Sequence, residues 1–219
     1  MPRDTVADLQ FEQRPADGEP DGLLVLHHGR GTDERDLLGL ADLLDSERRL
    51  HVVAPQAPLQ LPGSPGYHWY QVPRVGYPDP RTFEESRRKL AQLHDELWER
   101  TGVGADRTVL AGFSMGTVMS YALGLSGDRP APAGILAFSG FVPTVEGWEP
   151  SLQDRQRLQA FIAHGRRDPV IDVAFAQRAR ELLEGAGLDV SYHEHEGGHH
   201  IDPRQFDSAA RWLASTLTV

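Results

Sequence analysis

Residues 112–116 read Gly-Phe-Ser-Met-Gly, one serine between two glycines, where the apolar run 109–111 gives way to the helix-like segment 118–123. Glycine weakens a strand interior and costs backbone entropy at a helix start, so two of them beside a hydroxyl need a reason. G-x-S-x-G at a strand-to-helix junction supplies one. It is a sharp turn that strains the serine backbone and exposes its Oγ as a nucleophile. The same letters also occur as an ordinary glycine-rich turn, so the decision rests on partners. A serine hydroxyl needs a base to take its proton, and that base needs an acid to orient it. Asp168 falls just beyond the apolar run 158–165, and His199 falls in the loop before the last helical segment. The order Ser114, Asp168, His199 is the one expected where such a serine tops a parallel sheet. Taken singly, Asp168 reads as a turn residue before Pro169, and His199 as a polar loop histidine. Asp172 is the rival acid, but its place before a helix suits a cap. His200 is the rival base, and the Gly197-Gly198 pair is expected to deliver His199 instead.

Attack on a carbonyl also calls for two backbone N–H donors to hold the developing oxyanion. Met115, the residue after the serine, is one candidate. The other is Arg30 in His-His-Gly-Arg-Gly-Thr-Asp-Glu (27–34), where Gly29 and Gly31 allow close backbone approach. That glycine segment is no P-loop, because no Gly-Lys-Ser/Thr follows, and no dinucleotide loop, because a third glycine is missing.

These groups need a scaffold that brings strand ends together. Short runs rich in Val, Leu, Ile and Phe at 23–29, 50–56, 108–114, 134–140, 158–165 and 188–197 alternate with helix-like segments at 33–45, 81–102, 115–127, 173–187 and 202–216. Strands apolar throughout are buried on both faces, so the pattern predicts an α/β fold: a mostly parallel sheet with helices on both sides. Segment 6–14 alternates and is expected as an antiparallel edge strand. The Pro/Gly-rich stretch 54–80 is expected to run over the end of the sheet as a loop, since too little chain precedes it for a separate core. The whole of 1–219 is therefore expected to be a single domain.

Composition narrows the partners. A net charge of −10 gives no basic stripe for nucleic acid and no attraction to an anionic membrane surface. There is no cysteine, which excludes disulfides, thiolate metal sites and a cysteine nucleophile. Residues 1–22 show no stretch like a signal peptide and no run reaches membrane-spanning length, so a cytoplasmic location is expected. Two other functional readings stay open. The histidine-rich stretch 193–200 could bind a metal, although its spacing matches no metal motif, and His193 and His195 are expected to share a sheet face away from the loop. A non-catalytic scaffold of the same fold is the other.

The chain resembles the phospholipase/carboxylesterase branch of the α/β-hydrolase fold, which includes acyl-protein thioesterases and small bacterial carboxylesterases. The resemblance runs over nearly the whole length, through LHHGRGTDERDL (26–37), VVAPQAPL (52–59), GYHWY (66–70), GFSMG (112–116), AFSGFVP (137–143), HGRRDPVI (164–171) and GGHHI (197–201). It implies Ser114 as nucleophile, Asp168 as acid, His199 as base, and the amides of Arg30 and Met115 as oxyanion donors. It further implies a sheet without a large cap domain, an acyl ester or thioester substrate, no metal or organic cofactor, and a homodimer as an admitted assembly. Trp69, with Tyr70 beside it, is expected to border the substrate cleft. Tyr67, Tyr77, Phe141 and Trp148 are further candidates for an acyl pocket, and Arg74 and Arg81 for contact with an acidic substrate. Many relatives carry Gln where this chain has Met115, and the acid that often follows the aromatic pair is missing from GYHWYQVP.

Overall fold

The computed structural model describes residues 4–6 and 8–218, with side chains from residue 8 onward. Its centre is an eight-stranded sheet. In chain order the strands are β1 (Asp4–Val6), β2 (Leu9–Arg14), β3 (Gly22–His27), β4 (Leu50–Pro55), a small separate ribbon of β5 (Leu59–Gln60) and β6 (Tyr67–His68), then β7 (Thr108–Phe113), β8 (Gly134–Phe138), β9 (Gln159–Gly165) and β10 (Asp189–His195). The main sheet runs β1-β2-β4-β3-β7-β8-β9-β10. From β4 through β10 every pairing is parallel, while β1 and β2 add antiparallel strands at one side.

The burial pattern explains the apolar runs. Along β3, Leu23 and Val25 enter one core and Leu24 and Leu26 the other; along β8, Ile135 and Ala137 part in the same way from Leu136 and Phe138. A sheet covered on both faces has no solvent side to keep polar. One face is covered by α3 (Pro80–Thr101), α4 (Met115–Gly124) and α5 (Ala174–Gly185). The other is covered by α1 (Glu34–Leu38), α2 (Ala41–Leu44) and α6 (Phe206–Leu217). Helix α3 shows how locally its ends are set. Asp79 accepts the Thr82 N–H at 2.9 Å, Pro80 occupies the first turn, and Gly102 ends the helix at φ 67°. Among the described residues, no helix is long and apolar enough to cross a membrane.

Three elements differ from the sequence pattern. Segment 6–14 is not one edge strand but parts of two: Asp8 turns at φ 60°, and β1, not β2, takes the edge. Segment 33–45 splits into α1 and α2 at Gly39-Leu40, where a glycine in mid-helix lowers the cost of a break and Leu37, Ala41 and Leu44 still reach the sheet. Stretch 54–80 carries the β5–β6 ribbon, tied to the loop after β3 because the Tyr67 N–H donates to Thr32 O and the Gly31 N–H to Tyr67 O, both at 2.8 Å.

Candidate active site

Ser114 follows β7 and precedes α4 with φ 54° and ψ −117°, a backbone region that costs a non-glycine residue about 1–3 kcal/mol. The turn is held by contacts that leave no room for side chains. A Cβ on Gly116 would lie 1.9 Å from His27 O, and one on Gly112 would lie 2.4 Å from the Gly116 carbonyl carbon. The Ser114 N–H donates to Phe138 O at 2.9 Å, and the Thr117 hydroxyl stands 2.7 Å from the carbonyl oxygens of both Gly112 and Phe138. Strand β8 therefore braces the turn from the side.

Asp168 sits in the turn after β9. One oxygen accepts the N–H groups of Val170 and Ile171, each at 2.8 Å, so the carboxylate builds its own turn. Burial opposes its ionisation, but the Ile171 amide, the His199 ring and the Val170 amide together outweigh that, holding the carboxyl below its ordinary range. His199 arrives through the Gly197-Gly198 turn. That turn packs against the end of β9, where a Cβ on Gly165 would strike Gly198 O at 2.3 Å. Its Nδ1 lies 2.7 Å from the other Asp168 oxygen and its Nε2 lies 2.8 Å from Ser114 Oγ. Since a carboxylate only accepts, Nδ1 carries the proton and Nε2 is left to accept from the serine hydroxyl. Three segments far apart in sequence thus form one hydrogen-bonded line, with Asp172 outside it. Asp172 instead accepts the Ala174 N–H at 2.8 Å ahead of α5, as a cap does.

Arg30 and Met115 line the same hollow as Ser114 and His199, a space of about 480 Å³ also walled by Tyr70, Phe141 and Ile171. A larger hollow of about 1010 Å³ adjoins it at Gly76 and Phe141 but contains none of Ser114, Asp168 or His199, so size alone does not mark the chemistry. Tyr70 is one of the residues lining this hollow, and Trp69 is not. Its ring is fully buried beneath, donating its indole N–H to His28 O at 2.9 Å, while its backbone N–H meets the Met115 sulfur at 3.2 Å. An indole has a large apolar body and one donor, and here both are used up inside the protein. Met115 thereby gains a structural contact that ties the serine turn to the loop over it. Tyr77 and Trp148 line the larger hollow and Phe141 lines both, while Tyr67 and Arg81 line neither.

Two further residues, His164 and His28, have work here to which the sequence motifs around them give no role. His164, on β9, is fully buried; its Nε2 is 2.8 Å from Ile171 O and 3.4 Å from Asp168 Oδ2. Burial lowers its pKa, and the neutral ring donates to Ile171 O with the Asp168 carboxylate close beside it. His28 stands beside the Arg30 loop, with Nδ1 2.7 Å from Gly29 O and Nε2 accepting the Ala57 N–H at 3.0 Å. Burial brings its pKa down to about 4, keeping it neutral for that two-sided bridging. The repeated His-Gly pairs (28–29 and 164–165) were the visible signal, but a pair of letters does not say what the ring will touch.

The 193–200 histidines disperse. His193 stacks on Phe161 at 4.5 Å, and His195 packs 5.2 Å from the His200 ring and 3.6 Å from Asp202. His195 is therefore in contact with the loop rather than away from it, because the Gly197 N–H folds back to its Nδ1 at 3.1 Å. Among the described residues, no three His, Asp or Glu side chains are grouped to hold a metal ion.

Comparison with known proteins places the chain in a family. The chain is 22% identical over 204 residues to acyl-protein thioesterase 1 homolog 1 of Dictyostelium discoideum, covering 89% of this chain and 90% of that protein. Its structure superposes on that of esterase PE8 with a TM-score of 0.80 and 30% identity, over 95% of this chain and 99% of that one. The carboxylesterase of Bacillus cereus shares the fold at a TM-score of 0.83 and 24% identity, over 95% and 94% of the two chains. A family model described as phospholipase/carboxylesterase matches residues 12–217. With an α/β-hydrolase fold and a match over nearly its full length, the chain belongs to the phospholipase/carboxylesterase family.

Proposed function

We propose that the protein is a serine hydrolase that cleaves carboxylic esters or thioesters through an acyl-enzyme, with Ser114, His199 and Asp168 as its triad. The observation that carries this is the unbroken line from Ser114 Oγ to His199 Nε2 and from His199 Nδ1 to Asp168, at 2.8 and 2.7 Å. In the first half-reaction Ser114 Oγ bonds to the acyl carbon as its proton passes to His199 Nε2. The resulting imidazolium is held by Asp168, and it returns the proton to the departing alkoxide or thiolate as the C–O or C–S bond breaks. Water then attacks the acyl-serine, losing its proton to His199, and Ser114 regains one as the carboxylic acid leaves.

The amides of Arg30 and Met115 are read as the oxyanion donors, supported by their shared hollow and by the N-terminal end of α4, whose dipole favours negative charge there. Such a donor is worth roughly 3–4 kcal/mol of barrier. Tyr70 is read as part of the substrate wall. On the composition grounds above, the chain is read as one domain working in the cytoplasm. The test is Ser114→Ala with a covalent serine probe and an activated ester. The variant is expected to fold normally, to escape labelling and to lose essentially all turnover. Substantial residual turnover refutes the assignment of Ser114 as nucleophile, and no labelling of the wild-type serine refutes the hydrolase reading in favour of a non-catalytic scaffold.

A further inference from the structure

The hollow beside Ser114 has a charge opposite to that of the molecule around it. The chain carries 32 Asp and Glu against 22 Lys and Arg. Yet the arginines among the residues lining this hollow are Arg30, which stands between it and an adjoining hollow where its charge reaches His68, and Arg74, with no carboxylate among the lining residues. Most arginines elsewhere are consumed by ion pairs, as with Arg14 and Asp45, Arg48 and Asp17, Arg87 and Glu84, and Arg129 and Asp95. Among the described residues neither Arg30 nor Arg74 has a carboxylate partner, so no adjacent carboxylate offsets their charge at the rim of the hollow.

Arg74 is also held in place. Its guanidinium lies 3.7 Å over the Tyr77 ring, and the turn 74–77 is closed by the Tyr77 N–H donating to Arg74 O at 3.0 Å. Gly76 supplies the φ of 87° that the turn needs, and a Cβ there would meet the Phe175 ring at 3.0 Å, so the turn is backed by α5. A guanidinium stacked through its face keeps its N–H donors in the plane, pointing outward, ready for a two-oxygen anion. Arg30 lies on the loop whose Gly31 N–H is fastened to Tyr67 O at 2.8 Å. Tyr70, Val72, Val75 and Phe141 supply much of the apolar remainder of the lining.

We propose that the preferred substrate, resting on the hydrolase reading above, is an ester or thioester that carries an anionic oxygen group: apolar where it meets this wall, with a carboxylate or phosphate seated against Arg30 and Arg74. The chemistry asks only for an oxyanion within reach of the rim, on the acyl or the leaving-group side.

Two matched pairs test it at low ionic strength. In one, an aryl hydrogen succinate is compared with its methyl ester; in the other, 4-carboxyphenyl butanoate is compared with its methyl ester. Each rate is divided by that of uncatalysed hydrolysis. In at least one pair the anionic member is expected to show about tenfold higher kcat/KM, shrinking as salt is raised. The preference is expected to fall to near unity in Arg74→Gln with Arg30→Gln, and to persist in Arg211→Gln at an exposed position of α6. Equal rates in both pairs, or a preference that survives loss of both rim arginines, overturns the proposal. If the neutral esters are still turned over and Ser114 still labels, only the anion preference has failed; if no ester reacts, the hydrolase reading has failed with it.

Discussion

Gly116→Ala is the substitution for which the structure supplies its own magnitude. The new methyl would sit 1.9 Å from His27 O and 2.4 Å from the His27 carbonyl carbon, against an ordinary contact distance near 3.4 Å. The shortfall is about 1.5 Å, and both atoms are backbone of a central strand. Neither can swing aside as a side-chain tip would, so α4 must back away from β3 or the strand must bow. Overpacking of this kind costs about 1–3 kcal/mol. The functional cost is larger, because Ser114 and Met115 ride on the start of α4 while His199 is held from β9 and β10. A shift of even 1 Å opens the 2.8 Å contact between Ser114 and His199, and misplacement on that scale costs about 100-fold in rate. Urea unfolding and kcat/KM on an activated ester, measured side by side, check both numbers. Gly18→Ala is the control, since a Cβ there meets nothing within 4 Å. A Gly116→Ala protein with unchanged stability and near wild-type turnover would refute the view that the close approach of His27 sets the serine turn.

Two further outcomes follow from the buried histidines. His164→Leu removes the donor to Ile171 O and the imidazole 3.4 Å from the Asp168 carboxylate, leaving more negative charge facing His199; kcat/KM is expected to fall about tenfold and the acid limb of its pH profile to move upward, with His164→Gln recovering most of both. A profile that stays put in His164→Leu assigns the residue to packing alone. Burial, helped by the charge of His28, brings the pKa of His27 down to about 3; burial takes that of His28 to about 4; and burial also lowers that of His94. Below pH 6.5 the unfolded chain takes up protons at these positions that the folded one refuses. Stability is therefore complete above pH 6.5 and declines toward pH 4, by up to roughly 1.4 kcal/mol per pH unit for each of His27 and His28, with His94 acting in the same direction. Urea unfolding at pH 7 and pH 5 reads the slope, His94→Leu should flatten it, and equal stability at the two pH values would contradict the burial argument.

The order and type of the elements, and the identity of the three groups now found in line, were legible in the letters. Two-sided burial writes itself as uninterrupted apolar runs, and the serine turn requires glycines that nothing larger can replace, as the contacts of Gly112 and Gly116 make plain. Such local demands act through nearest neighbours in the chain, so they leave a local mark. The place of Trp69 left none. An aromatic next to a conspicuous motif looks the same whether it walls a cavity or is buried under it, and its indole N–H found His28 O, 41 residues earlier, only when β3 and the overlying loop met. His164, His28 and the unpaired charge of Arg30 were equally unreadable, and the letters offered Arg74 only together with Arg81, which does not line the hollow. A histidine becomes a neutral bridge, and an arginine a lone cation, according to which distant carbonyls and carboxylates come within reach, and packing between segments far apart in the chain sets those distances.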